Sequence, residues 1–258
     1  MHIGLIGLGT MGGNLARNAA RNGATVAVFN RTGEKTDAFM KAYGSEGKFI
    51  ACKTLEELLK NLPTPRSIIL MVKAGKSVDD IIAELLKAQS SKLKADDTII
   101  DAGNSHDIDT MARGNALMRK HGIRFLGLGV SGGEEGALKG PSMMPGGSKE
   151  AYDALSPLLL NMAADDGAGG KCVSYLGPEG SGHFVKMIHN GIEYGIMQLL
   201  AEAYDLLKRE CDLSNVQIAD LFGEWKESET LSSFLVEITE KVLRTKERET
   251  GKDLVDLI

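Results

Sequence analysis

The stretch GLGTMG at residues 7–12 constrains the fold more strongly than any other feature of the sequence. It follows an apolar run at residues 2–7, opens a helical pattern over residues 11–22 and precedes a strand pattern over residues 24–30. A GxGxxG motif alone is a weak signal, but between a strand and a helix it is the dinucleotide fingerprint. Its glycines permit a tight turn and let the backbone approach a pyrophosphate at the helix N-terminus. The alternative, a tight strand-to-helix turn without a ligand, does not account for this context.

The residues at the end of the second strand predict which dinucleotide binds. A site for NAD places an aspartate or glutamate there to contact the ribose 2′-hydroxyl. This chain instead has Asn30, Arg31 and Thr32, with Lys35 one turn later. A carboxylate would repel a 2′-phosphate, whereas an arginine offers a planar fork to bind it and a surface that stacks on adenine. The alternative is a solvated basic turn, but beside the glycine motif these residues predict NADP.

Strand and helix patterns continue to alternate, which is typical of an α/β fold with a doubly wound parallel sheet of Rossmann type. Further strands are predicted over residues 67–72, 98–101, 123–130 and 172–177. Further helices are predicted over residues 33–42, 55–61, 77–89 and 149–162. Between residues 131 and 147, six glycines and two prolines predict that much of the stretch is irregular.

Polar residues follow three of these strands at the sheet edge where ligands bind in such folds. Lys73 and Asn104 each follow a strand, although ordinary loop polarity would also explain both. Ser131, with the backbone amides of Gly132 and Gly133, follows the next strand and offers an anion-binding nest. Long glycine-rich loops are either mobile or shaped around a ligand. We therefore expect the cofactor and a substrate at this edge.

A polar stripe marks the first turns of a helix predicted over residues 183–210. Positions i, i+3, i+4, i+7, i+8 and i+11 lie on one helix face, and here they are Lys186, His189, Asn190, Glu193, Tyr194 and Met197. The remaining positions are apolar, the reverse of a surface helix, and the later turns are predicted to be buried. A lysine and a carboxylate two turns apart would suit a base and an acid. The alternative is that Lys186 extends to solvent and pairs with Glu193, but five polar groups on one face favour a site.

Bulk properties exclude several classes of protein. The chain has 258 residues, 43% hydrophobic and 25% charged, as in soluble globular proteins. Its net charge of −5 provides no general attraction for nucleic acid or an anionic membrane. Three widely spaced cysteines without a CxxC motif suit a reducing compartment. With no secretory signal, no apolar stretch long enough for a bilayer and no metal-ligand spacing, the sequence predicts a cytoplasmic protein without a metal site.

Strand patterns end after residue 177, which predicts two domains. Residues 1–177 would form an NADP-binding Rossmann domain and residues 178–258 the first part of an all-α domain. Helices are predicted there near residues 215–226 and 231–243, followed by a charged turn. An amphipathic pattern at residues 254–258 stops without a cap or a polar tail, which predicts that the chain is truncated.

Several longer motifs together resemble the decarboxylating 6-phosphogluconate dehydrogenases in their long, dimeric form. They span almost the whole chain in the family's order: GLIGLGTMGGNLARN, VFNRT, LMVKAG, IIDAGNS, LGVSGGEEGALKGPSMMPGG and KMIHNGIEYGIMQ. One departure is Gly9, where the long form usually carries alanine and where this chain resembles the wider β-hydroxyacid dehydrogenase superfamily. The family's chain continues further, with another substrate lysine, an arginine and a tail that reaches the partner subunit.

The resemblance implies an NADP-dependent oxidation and decarboxylation of 6-phosphogluconate to ribulose 5-phosphate and CO2, in the pentose phosphate pathway and gluconate utilization. Lys186 matches the general base and Glu193 the general acid. Substrate contacts are implied for Asn104, Ser131, Gly132, Gly133, His189, Asn190 and Tyr194. Cofactor contacts are implied for Gly7, Leu8, Gly9, Thr10, Met11, Gly12, Asn30, Arg31, Thr32, Val72, Lys73, Ala74 and Asn104. A homodimer, formed through the helical domain, is implied for complete members of the family.

The residue types agree with this chemistry. Oxidation of the 3-hydroxyl needs a base, and a neutral lysine in a partly desolvated site can serve. The resulting β-keto acid loses CO2 and leaves an enediol, whose C1 a separate acid must protonate. Three interpretations stay open: a truncated 6-phosphogluconate dehydrogenase with little activity alone, a compact dehydrogenase for a smaller β-hydroxy acid, and an NADP-binding fragment without catalysis.

Overall fold

The computed structural model describes residues 1–88 and 92–257, which divide into two compact units, Met1–Ile188 and His189–Ile258. The strands of the first unit are β1 His2–Ile6, β2 Thr25–Phe29, β3 Lys48–Ala51, β4 Ser67–Leu70, β5 Thr98–Asp101, β6 Arg124–Ser131 and β7 Ser142–Gly147. They form a seven-stranded sheet in the order β3-β2-β1-β4-β5-β6-β7. Neighbouring strands are parallel except β6 and β7, which are antiparallel.

Helices alternate with these strands and then continue without them. They are α1 Thr10–Arg21, α2 Gly33–Tyr43, α3 Leu55–Lys60, α4 Lys76–Lys87, α5 Asp107–His121, α6 Gly133–Lys139, α7 Lys149–Met162, α8 Ser181–Arg209, α9 Asn215–Lys226 and α10 Phe234–Arg244. None of the described helices is long and apolar enough to cross a membrane. The described residues also contain no group of three or more histidine, cysteine, aspartate or glutamate side chains arranged to hold a metal ion.

Two hydrophobic clusters cover the two faces of the sheet. Ile3 and Leu5 of β1 belong to one cluster, to which α1 and α7 contribute. Ile6 belongs to the other cluster, to which α3 and α4 contribute. Successive side chains of a strand point to opposite faces, so a sheet with helices on both sides needs strands that are apolar throughout. The predicted doubly wound fold is confirmed.

Most predicted elements lie within a residue or two of their observed bounds. The strand over residues 98–101 and the helices over residues 149–162 and 215–226 have the bounds predicted from the sequence. The helix predicted over residues 77–89 is observed as α4 Lys76–Lys87, and its predicted end at Gln89 lies outside the described residues. The helix predicted near residues 231–243 begins later, at Phe234, because Ser233 caps it by accepting a hydrogen bond from the Val236 amide.

The prediction that much of residues 131–147 is irregular is wrong, since α6 and β7 occupy most of that stretch. The glycines of β7 do not break the strand but allow close packing. A Cβ atom on Gly146 would lie 2.2 Å from the Gly182 backbone nitrogen. On Gly147, whose φ is +126°, it would lie 2.5 Å from the Phe125 carbonyl oxygen. These positions therefore require glycine for steric reasons rather than for flexibility.

The prediction of a strand over residues 172–177 is also wrong. Only Val173 forms an isolated bridge, with Met143 of β7. The segment lies along β7 and makes spaced hydrogen bonds, from the Leu176 amide to the Pro145 carbonyl and from the Gly147 amide to the Gly177 carbonyl. Pro145 has no N–H to donate, so a continuous ladder cannot form there.

Two elements carried too weak a pattern to be predicted. The edge strand β3 has four residues, KFIA, and none of them is fully buried, so it is too short to show a strand periodicity. In α5, only Thr110 and Leu117 are buried, so the helix lacks the apolar stripe that identifies an amphipathic helix.

The second unit is a small helical cluster. Ile218 and Phe222 of α9 and Val236 and Leu243 of α10 form its buried core. Partly buried side chains of α8 pack against this core on one side only. The prediction that the later turns of α8 are buried is therefore wrong, because other apolar side chains there are exposed: Ile196, Met197, Leu199 and Leu206.

One buried ion pair ties the amino ends of β4 and β5 together. Asp97 is 0% exposed and accepts hydrogen bonds from the Arg66 amide at 2.6 Å, the Arg66 Nη1 at 2.9 Å and the Lys94 amide at 2.9 Å. The Arg66 Nε donates to the Leu59 carbonyl oxygen at 3.0 Å. The charges are thus paired and most of their hydrogen-bonding capacity is used.

We predict that Asp97→Ala lowers the free energy of unfolding by about 3–5 kcal/mol, because it leaves the Arg66 guanidinium buried without its charge partner. Urea denaturation followed by circular dichroism measures the change. Asp153→Ala removes an exposed (i, i+4) pair with Lys149 and is the control, with little expected effect. An equal loss of stability in both variants would contradict the prediction.

Candidate functional site

The glycine loop after β1 is a tight turn that leaves the start of α1 open. Gly7 has a φ of +101°, and a Cβ atom there would lie 2.3 Å from the Met71 carbonyl oxygen. A Cβ atom on Gly12 would lie 1.9 Å from the Gly7 carbonyl oxygen. No side chain caps α1 in the described structure, and its first turn has no acidic residue. Its first backbone amides are therefore available to an anion, which the helix dipole also favours.

Gly9 differs from the other two glycines of the motif. A Cβ atom there would meet no atom of the described residues within 4 Å, and its φ of −71° suits any residue. The departure from the family's usual alanine thus has no steric cause within this chain.

Asn30 joins the glycine loop to the basic turn that follows β2. Its side-chain Oδ1 accepts a hydrogen bond from the Leu8 amide at 3.0 Å, and its Nδ2 donates to the Thr32 carbonyl at 3.1 Å. Its own amide donates to the Thr36 hydroxyl at 3.1 Å. The sequence predicted Asn30 as a cofactor contact, and the structure shows that its side chain also fixes the two loops to each other.

A cavity of about 270 Å³ lies between this loop, the basic turn and the residues after β4. Its lining includes these residues predicted from the sequence to bind the cofactor: Gly7, Gly9, Asn30, Arg31, Thr32, Lys35, Val72 and Lys73. Leu8 and Thr10 line an adjacent cavity of about 490 Å³, which Lys35 also borders. Of the described residues predicted to bind cofactor, Met11, Gly12, Ala74 and Asn104 line neither cavity.

The charges at the first cavity are mixed. Arg31, Lys35 and Lys73 are exposed and have no ion-pair partner among the described residues. Asp80 and Glu84 of α4 also line the cavity and were missed in the sequence, where they look like ordinary surface residues of a helix. Asp80 is already paired, since both of its carboxylate oxygens accept from the Lys76 ammonium, at 2.6 and 2.7 Å. The cavity therefore retains an excess of positive charge toward an anion.

Lys186 is held at the point where the first turns of α8 pack on β6 and β7. Its side chain is 7% exposed, and a Cβ atom on Gly129 of β6 would lie 2.6 Å from the Lys186 Cβ. A Cβ atom on Gly182 would lie 2.4 Å from the carbonyl oxygens of both Gly127 and Met144. The helix is thus in direct contact with the backbone of the strands, and this contact fixes the position of the Lys186 Cβ atom.

Two successive glycines follow β6. Ser131 ends the strand, and Gly132 and Gly133 have φ values of +126° and +62°. The loop is tied to α1, because Asn14 Nδ2 donates to the Glu134 carbonyl oxygen at 3.0 Å. Asn18 Nδ2 extends this connection by donating to the Ala137 and Met162 carbonyls, both at 3.1 Å. Neither asparagine was predicted from the sequence, where the signal for both is their i, i+4 spacing on the otherwise apolar face of α1.

Asn104 is exposed in the loop after β5, and its side chain has no hydrogen-bond partner among the described residues. The loop itself is fixed by Asp101, which is 0% exposed. Asp101 accepts from the Gly103 amide at 3.1 Å and from the Ser105 hydroxyl at 2.6 Å. A rigid loop therefore presents the Asn104 amide group to solvent.

The second unit carries the remaining residues of the predicted polar stripe. His189 Nδ1 lies 3.7 Å from Glu193 Oε2 and 3.2 Å from Asn190 Oδ1. Tyr194 is 71% exposed. The structure therefore brings three of these four side chains into one polar group on α8, with the carboxylate of Glu193 beside an imidazole.

A Rossmann sheet with a glycine fingerprint, a cationic cavity and an appended helical unit defines a dinucleotide-binding protein. Comparison with known families makes this more specific. The family model described as the NAD binding domain of 6-phosphogluconate dehydrogenase matches residues 2–177. The model described as the 6-phosphogluconate dehydrogenase C-terminal domain matches residues 182–258. The chain belongs to the 6-phosphogluconate dehydrogenase family.

Individual relatives agree with this assignment. The chain is 50% identical over 258 residues to 6-phosphogluconate dehydrogenase, decarboxylating, of Lactococcus lactis subsp. lactis, covering 100% of this chain and 53% of the relative. It is 48% identical to the NADP(+)-dependent, decarboxylating enzyme of Bacillus subtilis, covering 99% and 53%. The solved structure of Plasmodium falciparum 6-phosphogluconate dehydrogenase superposes with a TM-score of 0.90 at 43% identity, covering 100% of this chain and 54% of that one. The chain thus spans about half the length of the curated relatives that it matches.

We predict that Gly12→Ala lowers the free energy of unfolding by about 1–3 kcal/mol, because the added methyl group overlaps the Gly7 carbonyl. Gly9→Ala makes the same chemical change where the described structure leaves open space, and it should leave stability nearly unchanged. Urea denaturation of both variants checks this difference. A loss in Gly9→Ala as large as that in Gly12→Ala would refute the geometry given for the loop.

Proposed function

We propose that this chain is the NADP-binding and acid–base part of a 6-phosphogluconate dehydrogenase, which converts 6-phosphogluconate to ribulose 5-phosphate and CO2. The observation that carries the proposal is the cavity beside the glycine loop, rimmed by Arg31, Thr32 and Lys35 where an NAD site has a carboxylate. The names of the relatives support it, since the Bacillus subtilis protein is NADP(+)-dependent. The Plasmodium falciparum structure was described with NADP+ and with 6-phosphogluconate.

The residues of the first unit fit NADP. The open amides at the start of α1 suit the pyrophosphate, and Arg31, Thr32 and Lys35 suit the 2′-phosphate. Val72, Lys73 and Ala74 would follow the dinucleotide along the end of β4, and Asn104 would contact it or the substrate at β5. NADP, when bound, supplies the acceptor for the hydride that leaves C3 of the substrate.

Lys186 is proposed as the general base that takes the proton of the 3-hydroxyl. Its burial against β6 supports this role, because packing there holds the side chain in place and out of bulk water. Asn104, Ser131 and the amides of Gly132 and Gly133 would hold the sugar acid on this unit. After loss of CO2, the protonated Lys186 would stabilise the enediol.

Glu193 is proposed as the general acid that protonates C1 of the enediol. His189 lies beside its carboxylate and, with Asn190 and Tyr194, would hold the substrate. The imidazole, whose Nδ1 is 3.7 Å from the carboxylate, would contact the substrate beside that group.

Assembly and location are part of the same proposal. Residues 1–177 would act as the cofactor domain and residues 178–258 as the first part of the substrate domain. The complete protein would be a homodimer, and exposed apolar side chains of α8, such as Ile192, Leu199 and Leu206, support an interface. A cytoplasmic location is supported by Cys52, Cys172 and Cys211 being free thiols.

We predict that the chain binds NADP more tightly than NAD and that Arg31→Asp reverses this preference. Each lost charge-assisted hydrogen bond to the 2′-phosphate costs about 1.5–3 kcal/mol, and a carboxylate adds repulsion. Isothermal titration calorimetry of the purified chain with each dinucleotide measures the effect. Arg209→Asp makes the same change at an exposed residue of α8 that does not line the cavity, and it should preserve the preference. Equal affinity of the unmodified chain for NAD and NADP would overturn the cofactor assignment, and binding without turnover would favour a non-catalytic NADP-binding fragment.

We predict that Lys186→Ala abolishes hydride transfer while NADP affinity stays nearly unchanged, since the lysine lies outside the cofactor cavity. Glu193→Gln should slow product formation by about 10²–10⁴-fold, the usual contribution of general acid catalysis. Both are assayed in this chain joined in frame to the second half of the Lactococcus lactis relative, by NADPH absorbance and ribulose 5-phosphate formation. Glu202→Gln, an exposed acid on the same helix, is the control. Loss of NADP affinity in Lys186→Ala would contradict the role of Lys186 as the base. Normal turnover in Glu193→Gln would contradict the role of Glu193 as the acid.

A further inference from the structure

A buried hydrogen bond joins α5 to the first turn of α8. His183 is 1% exposed, and its Nδ1 lies 2.6 Å from the Thr110 hydroxyl. The Thr110 hydroxyl is also 3.0 Å from the His106 carbonyl oxygen. The other ring nitrogen, Nε2, is buried as well. His183 is therefore a polar side chain in the protein interior that is hydrogen-bonded to Thr110.

The same face of α5 also holds the loop that carries Asn104. Arg113, one turn after Thr110, lies 3.6 Å from the Asp101 carboxylate. It reaches the loop after β4 as well, donating to the Gly75 carbonyl at 3.2 Å and to Asp79 at 2.7 Å. Through these contacts, α5 joins the loops that follow β4 and β5 to the start of α8.

Lys186 follows His183 by three residues, so the two side chains lie on the same face of α8. Each packs over a glycine of β6, and these two glycines face the same side of the strand. A Cβ atom on Gly127 would lie 2.9 Å from His183 Nδ1 and 2.8 Å from Thr110 Cγ2. A Cβ atom on Gly129 would lie 2.6 Å from the Lys186 Cβ. The Thr110–His183 bond thus sits directly over β6, one turn before the lysine.

We propose that His183 is a positioning residue. Through Thr110 it fixes the first turn of α8 to the loop after β5, and so it fixes the positions of Lys186 and Asn104 relative to each other. The inference rests on the proposed function for the roles of Lys186 and Asn104. The other contacts described for this turn are close packing of Gly182 against the backbone of β6 and β7. These limit its distance from the sheet but specify its rotation and slide less strictly than a short hydrogen bond does.

The electrostatic surroundings are consistent with this role. Burial lowers the pKa of His183, and the positive charge of Arg113 acts in the same direction. The Asp101 carboxylate and the backbone carbonyls of Asp101 and Gly103 oppose this shift. A neutral imidazole has one donor and one acceptor nitrogen, so in either tautomer Nδ1 can share a hydrogen bond with the Thr110 hydroxyl.

The test compares four variants of the chain. Thr110→Val removes the hydroxyl in a side chain of nearly the same shape, and His183→Leu removes both ring nitrogens. His183→Asn retains a polar atom near the position of Nδ1 and is the rescue variant. Tyr175→Phe is the matched control, because it deletes a hydroxyl that donates to the Gly147 carbonyl at 2.8 Å in the same unit.

The measurement is local protection. Hydrogen exchange by mass spectrometry follows the peptides over residues 101–106 and 181–188, and amine labelling with peptide mapping follows Lys186. Thr110→Val and His183→Leu should raise exchange and Lys186 labelling about tenfold, as expected for loss of one buried hydrogen bond. The amides of α1, which report opening of the whole unit, should change much less. His183→Asn should regain most of the protection, and Tyr175→Phe should match the unmodified chain at these peptides.

Two outcomes would overturn the proposal. One is unchanged protection of Lys186 in Thr110→Val. The other is a rise that is equal at α1 and is not rescued by His183→Asn, because this pattern describes general destabilisation. The measurements contain no NADP or substrate, so their failure leaves the cofactor assignment intact. If the calorimetric test showed no NADP binding, the proposed function would be wrong, but the effect of the His183–Thr110 hydrogen bond on local protection would still stand.

Discussion

The structure depends on direct contact between the backbone of α8 and the backbone of β6 and β7. Gly182 on the helix and Gly146 on β7 leave no side chain between the two backbones, and Gly127 and Gly129 of β6 leave room for His183 and Lys186 of the helix. A helix normally packs on a sheet through a layer of side chains. Here that layer is missing at one point, and Lys186 enters the resulting space. The position of the lysine is therefore set by main-chain atoms, which shift less than side chains do.

The cofactor cavity follows from the order of the strands. The sheet order reverses between β1 and β4, because β2 and β3 lie on one side of β1 and β4 to β7 on the other. The connections leaving β1 and β4 therefore run to opposite faces, and a crevice opens between their carboxyl ends. The glycine loop and Val72 border this crevice. Asn30 adds the third border, since its side chain holds the basic turn to the glycine loop.

The sequence predicted the features that are encoded locally and missed those that depend on a distant partner. The glycine motif and the basic turn at Arg31 carry their meaning within a few residues. Gly146, by contrast, suggests an irregular loop until the backbone of Gly182 is known to lie against it. Asn14 resembles a surface residue of α1 until Glu134 supplies a carbonyl oxygen 120 residues away. For the same reason, the apolar later turns of α8 suggested a buried helix, although only one face of these turns packs against the core formed by α9 and α10.

The segment after α7 also determines how the sheet ends. β7 is an edge strand, and edge strands present unpaired amides and carbonyls to other chains. On β7 three of these outward groups are already used: the Met143 amide donates to the Cys172 carbonyl, the Pro145 carbonyl accepts from the Leu176 amide, and the Gly147 amide donates to the Gly177 carbonyl. Pro145 adds a position with no donor at all. A second molecule therefore finds no continuous row of free groups along β7, which disfavours sheet-to-sheet aggregation at this edge.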